Sequence, residues 1–468
     1  MMTDRIKIKE IDSSNTSDVK QYNPSNRIYV RAMYGFYQKL RRYTGWGLIV
    51  AFVALPLMQW NGQQAILFDI ADQQYHIFNM TLFPQDLTLL AWVFIIAAFA
   101  LFFITTYLGR VWCGYTCPQT VWTFIFIWFE ERCEGSANKR KRLDQMSWSF
   151  NKIWRKTAKH IGWITFSLLT GLAFSSYFVP VRELYLDFFT FNTGFATTTS
   201  VLFFTVITYI NAGWMRSIVC LHMCPYARFQ SAMFDKNTYI VGYDAKRGET
   251  RGPRSRKDSP EELGLGDCVD CDLCVQVCPT GIDIRNGLQY ECINCGACVD
   301  ACDYTMDKMG YPRGLISYTT EEKLAGKKTK VLRPKIIGYG ALLLIMIAVF
   351  FINIANLSSA EMEILRDRNV LYRENSQGLT ENTYTLKILN KTIKTQTYDL
   401  SFSGLKDAQL LGPNQIIIKP GEVLTQPISI AVDPYGIKEN KIYITITLTG
   451  ASGEVETIEQ QTTFFLGL

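Results

Sequence analysis

Cysteines carry the clearest chemical signal in this sequence. Eight of them lie between positions 268 and 302, in two runs that share the spacing C-x2-C-x2-C-x3-C. The runs are Cys268, Cys271, Cys274 and Cys278, then Cys292, Cys295, Cys298 and Cys302. Such runs bind [4Fe-4S] clusters, and where two occur the fourth cysteine of each ligates the cluster of the other. The spacing therefore predicts one cluster held by Cys268, Cys271, Cys274 and Cys302, and a second held by Cys278, Cys292, Cys295 and Cys298.

Zinc sites and disulfide frameworks are the alternative uses of clustered cysteines. Zinc sites usually combine two CxxC pairs across a longer loop, and three cysteines at this close spacing do not share one tetrahedral ion comfortably. Both considerations favour iron-sulfur clusters. One departure from the repeat is that Pro279 follows Cys278, whereas Asp303 follows Cys302. The ligand set is complete, but the pattern says less about the chain after Cys302.

A second sulfur pattern, CxxxCP, occurs twice. It consists of Cys113, Cys117 and Pro118 in one copy, and of Cys220, Cys224 and Pro225 in the other. Each copy directly follows a long apolar segment. Because proline favours the first turn of a helix, we expect Cys117 and Cys224 to cap the helices that follow. The helix dipole would then favour their thiolate forms.

Paired thiolates within one turn suit a soft ion, and Cu(I) is the natural candidate. His222 and Met223 lie inside the second copy and are possible further ligands. The four cysteines would form one shared site if the two helical hairpins pack side by side. The alternative is that they are buried and inert, since free cysteine behaves as a small apolar residue. Repetition of the motif favours the functional interpretation, whereas the lone Cys133 is interpreted as structural.

Five long apolar segments divide the chain of 468 residues, of which 48% are hydrophobic. They cover residues 46–60, 87–108, 161–179, 197–215 and 336–357. A helix needs about 20 apolar residues to cross the hydrocarbon core of a membrane. The sequence therefore predicts a polytopic α-helical membrane protein with five transmembrane helices, in contact with membrane lipid.

Basic residues give an orientation to this layout. Lysine and arginine gather before the first apolar segment, between the second and third, and between the fourth and fifth. The positive-inside rule places these segments in the cytoplasm. All 13 cysteines lie in them or at their membrane edges, where thiols stay reduced. The basic loop at 245–267 is expected to rest on anionic lipid headgroups, which is favoured over a nucleic-acid partner.

A change to period-two alternation follows the fifth apolar segment and predicts short antiparallel strands in an immunoglobulin-like β-sandwich. The expected domains are a cytoplasmic tail at 1–43, a four-helix membrane domain at 44–234, a cytoplasmic two-cluster ferredoxin-like α+β domain at 235–331, a fifth transmembrane helix at 332–358 and a periplasmic sandwich at 359–468. The sandwich contains no group of chemically reactive residues, which favours a docking role.

The stretches VWCGYTCPQTVWT and CLHMCPYARFQSAMFD, together with the double cluster motif, carry a family resemblance. The chain resembles the cytochrome c oxidase accessory proteins of the CcoG, FixG and RdxA type, and residues 44–302 are also similar to the NapH-type quinol-oxidising ferredoxins. The first resemblance implies maturation of cbb3-type cytochrome oxidase in the bacterial inner membrane, through reduction of Cu(II) to Cu(I). Oxidase subunits or copper chaperones would then be its partners.

Three functions remain open at this point. The first is a cupric reductase in which the catalytic thiols are Cys113, Cys117, Cys220 and Cys224. The second is a conduit that passes electrons from quinol to a partner enzyme, and the third is a redox-sensing scaffold for oxidase assembly. Clusters with complete cysteine ligation move single electrons, which suits the Cu(II)/Cu(I) couple. The electron donor is not indicated by the sequence.

Overall fold

The computed structural model describes residues 28–466, except 61, 72, 79, 259, 261, 357, 368–369, 376, 393, 436, 438 and 451–456. Most of the predicted amino-terminal tail, residues 1–27, lies outside the described residues. The chain divides into two compact units. The first combines Met1–Pro56 with Val93–Ala348, and the second combines Leu57–Trp92 with Val349–Leu468.

Helices dominate the first unit, and their bounds are as follows. They are α1 (Phe36–Leu57), α2 (Leu87–Leu108), α3 (Val111–Tyr115), α4 (Pro118–Glu134), α5 (Ala137–Gln145), α6 (Phe150–Ser175), α7 (Val181–Thr190), α8 (Phe195–Thr208), α9 (Pro225–Met233), α10 (Ala245–Gly248), α11 (Leu273–Gln276), α12 (Ala297–Met309), α13 (Glu321–Leu324) and α14 (Pro334–Ala355). Helix α8 continues as a π-helix over Tyr209–Met215, and a further π turn covers Val219–Met223.

Among the described residues, three helices are long and apolar enough to cross a membrane: Leu87–Leu108, Phe195–Met215 and Pro334–Ala355. These coincide with the second, fourth and fifth apolar segments, and the chain is a membrane protein. The first and third segments lie in α1 and α6, which are 22 and 26 residues long. Both helices begin with basic turns that lower their mean hydropathy, so the count of five spans stays a prediction.

Helix α1 begins at Phe36, inside the segment that the sequence assigned to the tail. The reason is a contact distant in sequence. The carboxylate of Asp300 accepts hydrogen bonds from the backbone N–H groups of Tyr37, at 3.1 Å, and Gln38, at 2.8 Å. A carboxylate at this position satisfies amides that the helix itself leaves unpaired and complements the helix dipole. The first helix therefore begins at Phe36, ahead of the domain boundary expected near residue 44.

The cysteine-rich part of the first unit is an α+β arrangement. Strand β6 (Ile240–Tyr243) pairs antiparallel with β7 (Ile316–Thr319), and the short helices α11 and α12 lie between them in sequence. The residues before these helices, Asp272 and Gly296, both have left-handed backbone conformation, with φ values of 54° and 71°. The two cysteine runs thus repeat the same local path, which is the ferredoxin-like pseudo-repeat that the spacing predicts.

Five strands, β1–β5, precede this pair in the chain, and nine strands, β8–β16, follow it. Their bounds are β1 (Gln59–Trp60), β2 (Gln63–Gln64), β3 (Ile66–Asp69), β4 (Gln74–Ile77), β5 (Met80–Leu82), β8 (Ala360–Arg366), β9 (Arg373–Glu374), β10 (Thr380–Asn390), β11 (Gln396–Ser403), β12 (Gln409–Leu411), β13 (Gln415–Ile418), β14 (Val423–Val432), β15 (Lys441–Gly450) and β16 (Ile458–Phe465).

Strands β8–β16 of the second unit form an antiparallel sandwich of two sheets, and β1–β5 form a two-stranded and a three-stranded sheet. One sheet has the order β12-β14-β10-β8, with β9 paired to β10, and the other has the order β13-β11-β15-β16. Alternate residues of each strand face the core, and examples are Tyr384, Ile388, Ile430 and Ile446. Burying alternate residues on one face of each strand is what the period-two pattern predicts. The predicted immunoglobulin-like sandwich is confirmed as the fold of this region.

Candidate redox centre

The first cavity of the cysteine-rich region is lined by Cys268, Cys271, Cys274 and Cys302, with Tyr243, Arg285 and Met306 among its other walls. Three of these cysteines come from the first run and one from the end of the second. Helix α12 brings them together, because it carries Cys302 back from the second run. The four cysteines predicted for the first cluster therefore share one cavity.

The second cavity is lined by Cys278, Cys292, Cys295 and Cys298, and by Cys274 on a wall shared with the first cavity. Cys278 thus lies with the first three cysteines of the second run. These are the four cysteines predicted for the second cluster. Because Cys274 lines both cavities, the two sites adjoin, which suits the passage of electrons between them.

The donor set in both cavities fits iron-sulfur clusters. Within the described residues, no three His, Cys, Asp or Glu side chains converge on a position for a single metal ion. The cysteines instead surround a space, which suits a cluster that contains several iron atoms. Burial raises the pKa of Cys274, Cys292 and Cys302 to about 12. Binding to iron would therefore displace protons from these thiols.

The CxxxCP motifs occupy the helix starts that the sequence predicted. Cys117 is the N-cap residue of α4 and Cys224 is the N-cap residue of α9, each followed by proline in the first turn. Electrostatic repulsion among the thiolate forms links all six pairs of Cys113, Cys117, Cys220 and Cys224. The structure therefore brings the two motifs together into one group, called the four-thiol site below.

The expected acidity of these thiols is wrong for Cys117. Its pKa is raised, because burial outweighs the stabilising backbone N–H groups of Thr120 and Gln119. Burial likewise raises the pKa of Cys113 to about 11 and that of Cys220 to about 12. Desolvation therefore destabilises the thiolate form more than the helix dipole and the nearby hydrogen-bond donors stabilise it.

Two further residues of the motif, His222 and Met223, lie in the π turn that precedes Cys224. Both side chains are exposed, and Met223 is 58% exposed. The four cysteines are each partly buried. The side chains of His222 and Met223 face solvent, whereas the four thiols are partly buried. This difference in burial favours a group of thiols alone over one with a histidine or thioether ligand.

Glycine in the first CxxxCP motif joins the four-thiol site to the second cavity. A Cβ atom at Gly114 would lie 2.9 Å from the carbonyl oxygens of both Ile293 and Asn294, and 3.0 Å from the Cα of Cys295. The backbone of the motif therefore rests directly on the second cysteine run. Cys113 also packs against the apolar cluster that contains Ile293 and Cys295.

Arg110 is a second link, and sequence reasoning counted it only among the basic residues that orient the helices. Its buried guanidinium donates hydrogen bonds to the carbonyl oxygens of Ala227, at 2.8 Å, and Cys292, at 3.4 Å. It also donates to the carbonyl oxygen of Tyr290 and lies 4.8 Å from the centre of that ring. One guanidinium thus touches α9 and the second cysteine run. Its position three residues before Cys113 was the available signal.

A larger cavity, of about 440 Å³, opens beside the four-thiol site. Its walls include Cys220, Thr280, Phe124, Trp163 and His160. The Nδ1 atom of His160 is 2.9 Å from the hydroxyl of Tyr209, and the hydroxyl of Thr280 is 3.2 Å from the sulfur of Cys278. The cavity therefore extends from a histidine to the edge of the second cysteine cavity.

Two adjoining all-cysteine cavities in a chain with apolar membrane helices define a membrane-bound iron-sulfur electron-transfer protein of the ferredoxin type. Residues 215–321 match the family described as 4Fe-4S dicluster domain, and residues 350–467 match the family described as IG-like fold at C-terminal of FixG. The chain belongs to the FixG/RdxA family, as three curated relatives show.

These relatives are similar over most of their length. The nitrogen fixation protein FixG of Rhizobium meliloti is 32% identical, over 91% of this chain and 87% of the relative. The proteins RdxA and RdxB of Cereibacter sphaeroides are 36% and 34% identical, over 82% and 89% of this chain and 83% and 91% of their own. A crystal structure of a FixG-related protein from Vibrio parahaemolyticus is 40% identical, covers 24% of this chain and 100% of its own, and has a TM-score of 0.23.

Proposed function

We propose that this protein passes electrons through two [4Fe-4S] clusters to the four-thiol site, where Cu(II) is reduced to Cu(I) for the maturation of cbb3-type cytochrome oxidase. The single observation that carries the proposal is the close approach of Gly114 to the second cysteine run. This contact joins a group of soft copper ligands to a proposed cluster site without an intervening layer of protein. Bound clusters would supply the one-electron chemistry.

The chain's own residues have separable roles in this proposal. The two cavities would hold the clusters with the ligand sets that the spacing predicts, and Cys274 would lie between them. A pair of thiols from this group would bind the copper substrate and favour Cu(I), because thiolates are soft ligands and no three of the described side chains converge on one ion position. Tighter binding of the reduced ion makes the transfer of one electron to copper more favourable. Because Cys113 and Cys220 have raised pKa values, copper binding would release protons.

The proposal is tested by replacing Cys117 and Cys224 together by alanine in anaerobically purified, full-length protein. We expect iron content and cluster absorbance to remain near wild type, while the rate of Cu(II) reduction falls at least about tenfold. Cys133→Ala is the matched control, because Cys133 is also a free cysteine but belongs to neither motif. Unchanged copper reduction in the double variant would refute a role for the four-thiol site.

The placement that goes with this function is the bacterial inner membrane, with five spans and both cysteine-rich regions in the cytoplasm. It is supported by the alternation of basic and non-basic segments along the chain. The immunoglobulin-like sandwich would then face the periplasm and dock oxidase subunits or copper chaperones. A purely redox-sensing scaffold would need the sandwich and the clusters, but no copper reduction.

A conduit from quinol to a partner enzyme is the second candidate, and the cavity of about 440 Å³ favours it. Aromatic walls from Phe124 and Trp163 suit a flat ring, and His160 places a titratable imidazole in the same wall. The experiment that tests this candidate measures whether a short-chain quinol reduces the clusters. If it occurs, and His160→Phe abolishes it while electrons from dithionite still enter, quinol is a donor. Loss of copper reduction in the Cys117 and Cys224 double variant would still identify the acceptor.

A further inference from the structure

The two cysteine cavities differ in the net charge of the groups beside them. Beside the first cavity, the guanidinium of Arg285 lies 2.6 Å from carboxylate oxygens of both Asp270 and Asp272, and 2.7 Å from one of Asp283. Three carboxylates thus surround one guanidinium. Asp303, which directly follows Cys302 in the chain, adds a fourth carboxylate on this side. Arg254 also lies here and donates to the carbonyl oxygen of Cys268 at 3.4 Å. Beside the first cavity, four carboxylates therefore outnumber two guanidinium groups.

Two guanidinium groups lie beside the second cavity. Arg110 donates to the carbonyl oxygen of Cys292, and Arg41 donates to that of Cys295 at 3.0 Å. Arg110 is only 5% exposed. In the part of the chain that the structure describes, both guanidinium groups donate hydrogen bonds to backbone carbonyl oxygens, and each lies over an aromatic ring. Neither pairs with a carboxylate there.

A carboxylate does lie within the second run, at Asp300. Its oxygens accept hydrogen bonds from the first amides of α1, at Tyr37 and Gln38. The amino terminus of a helix carries a partial positive charge, which offsets this carboxylate. Among the described residues, the charge of Arg110 therefore has no carboxylate partner. A buried charge of this kind is costly unless an anion lies beside it.

A [4Fe-4S] cluster with four thiolate ligands is such an anion, and its potential depends on nearby charge and hydrogen bonding. A positive neighbour stabilises the more negative, reduced form, whereas carboxylates disfavour it. The difference between the two surroundings therefore acts on the relative potentials of the two sites.

We propose that Arg110 and Arg41 hold the second cluster at a higher reduction potential than the first. The carboxylates of Asp270, Asp272 and Asp283 lower the potential of the first cluster. This difference in potential directs electrons toward the four-thiol site. The inference deepens the proposed function and rests on its cluster assignment. One electron leaves the first site, which is oxidised, and enters the second site, which is reduced. Cys271 is exposed, so electrons enter at the first cavity, and Gly114 marks the exit beside the second.

The test is a redox titration of the full-length, anaerobically purified protein, followed by electron paramagnetic resonance. Changes caused by Cys271→Ser and Cys298→Ser assign the signals to the first and second clusters. In the wild type we expect the second cluster to have the higher potential. Arg110→Gln should lower that potential by about 59 mV, which corresponds to a tenfold change in a one-electron equilibrium. Arg110→Lys, which retains the charge, should restore most of the difference.

Asp272→Asn is the matched variant at the other cavity, and it should raise only the potential of the first cluster. This variant also keeps the proposal testable if Arg110→Gln does not assemble its clusters, because Asp272 is an exposed side chain. Equal potentials, a higher first potential, or equal shifts of both clusters in either variant would overturn the inference. A normal difference with no copper reduction would instead refute the proposed function and leave this inference standing.

Discussion

Gly114 and Asn294 are held so close that a Cβ atom on the glycine would lie 2.9 Å from the carbonyl oxygen of the asparagine. Neither neighbour can move cheaply, because both contacts involve backbone. The absence of a side chain at Gly114 is therefore a condition for joining the first CxxxCP motif to the second cysteine run. This relationship leads to the first prediction.

Gly114→Ala should destabilise this junction by about 1–3 kcal/mol, because overpacking against fixed backbone forces a local shift. We expect a lower midpoint of thermal unfolding and slower electron transfer from the clusters to Cu(II). Gly47→Ala is the control, because nothing lies within 4 Å of a Cβ atom at that position in α1. Equal behaviour of the two variants would contradict the close approach.

Iron content provides the second prediction. Fully loaded protein should contain about eight iron atoms per chain, because eight cysteines at this spacing satisfy two [4Fe-4S] clusters. Cys271→Ala should remove or convert the first cluster, and Cys298→Ala should do the same to the second. Each variant should lose about half of the iron if the cluster is removed, and less if it is converted. Metal analysis that finds about four iron atoms in the wild type, or zinc in place of iron, would rule out the assignment.

Alkylation of Cys113 and Cys220 should be slow at neutral pH in copper-free protein. The thiolate is the reactive form, and burial raises the pKa of Cys113 to about 11 and that of Cys220 to about 12. Below these values each unit of pH changes the thiolate fraction about tenfold, so the rate should still be rising about tenfold per unit between pH 7 and 9. Mass spectrometry after timed iodoacetamide treatment measures this, and a plateau below pH 9 would contradict it.

The second unit contains a buried ion group that stabilises it. The ammonium group of Lys391, only 3% exposed, lies 2.8 Å from Asp86 and 2.6 Å from Glu361. Lys391→Met should cost about 3–5 kcal/mol, because it leaves Asp86 buried without a cation. Lys394→Met, at an exposed position, should have little effect. Thermal unfolding of the two variants measures the difference, and similar midpoints would show that the buried group contributes nothing.

The proposed membrane placement is tested with reporter fusions. A reporter active only in the periplasm should work when fused after Leu468 and fail when fused after Gly310, as the distribution of lysine and arginine predicts. A second reporter, active only in the cytoplasm, should give the reverse pattern and serves as the control for expression. Activity in the opposite sense would overturn the proposed layout.

Local spacing determined much of what could be predicted about this protein. The two cysteine runs predicted which four cysteines share each cavity, because in this pattern the first three cysteines of a run surround one cluster and the fourth ligates the other. Proline after Cys117 and Cys224 predicted the helix starts, because its fixed backbone angle suits a first turn. Apolar length predicted five spans, of which three coincide with described helices long and apolar enough to cross a membrane. Period-two alternation predicted the sandwich.

Contacts between residues far apart in the chain decided the rest. Helix α1 begins at Phe36 because Asp300, more than 260 positions away, accepts its first amides. The thiol of Cys117 is a weaker acid than its helix cap suggests, because burial by other segments removes the water that a thiolate needs. Arg110 became a link between two redox sites only when α9 and the second cysteine run enclosed it. Burial of a thiol and enclosure of a guanidinium depend on segments that are distant in the chain. Local residue spacing therefore does not determine either of them.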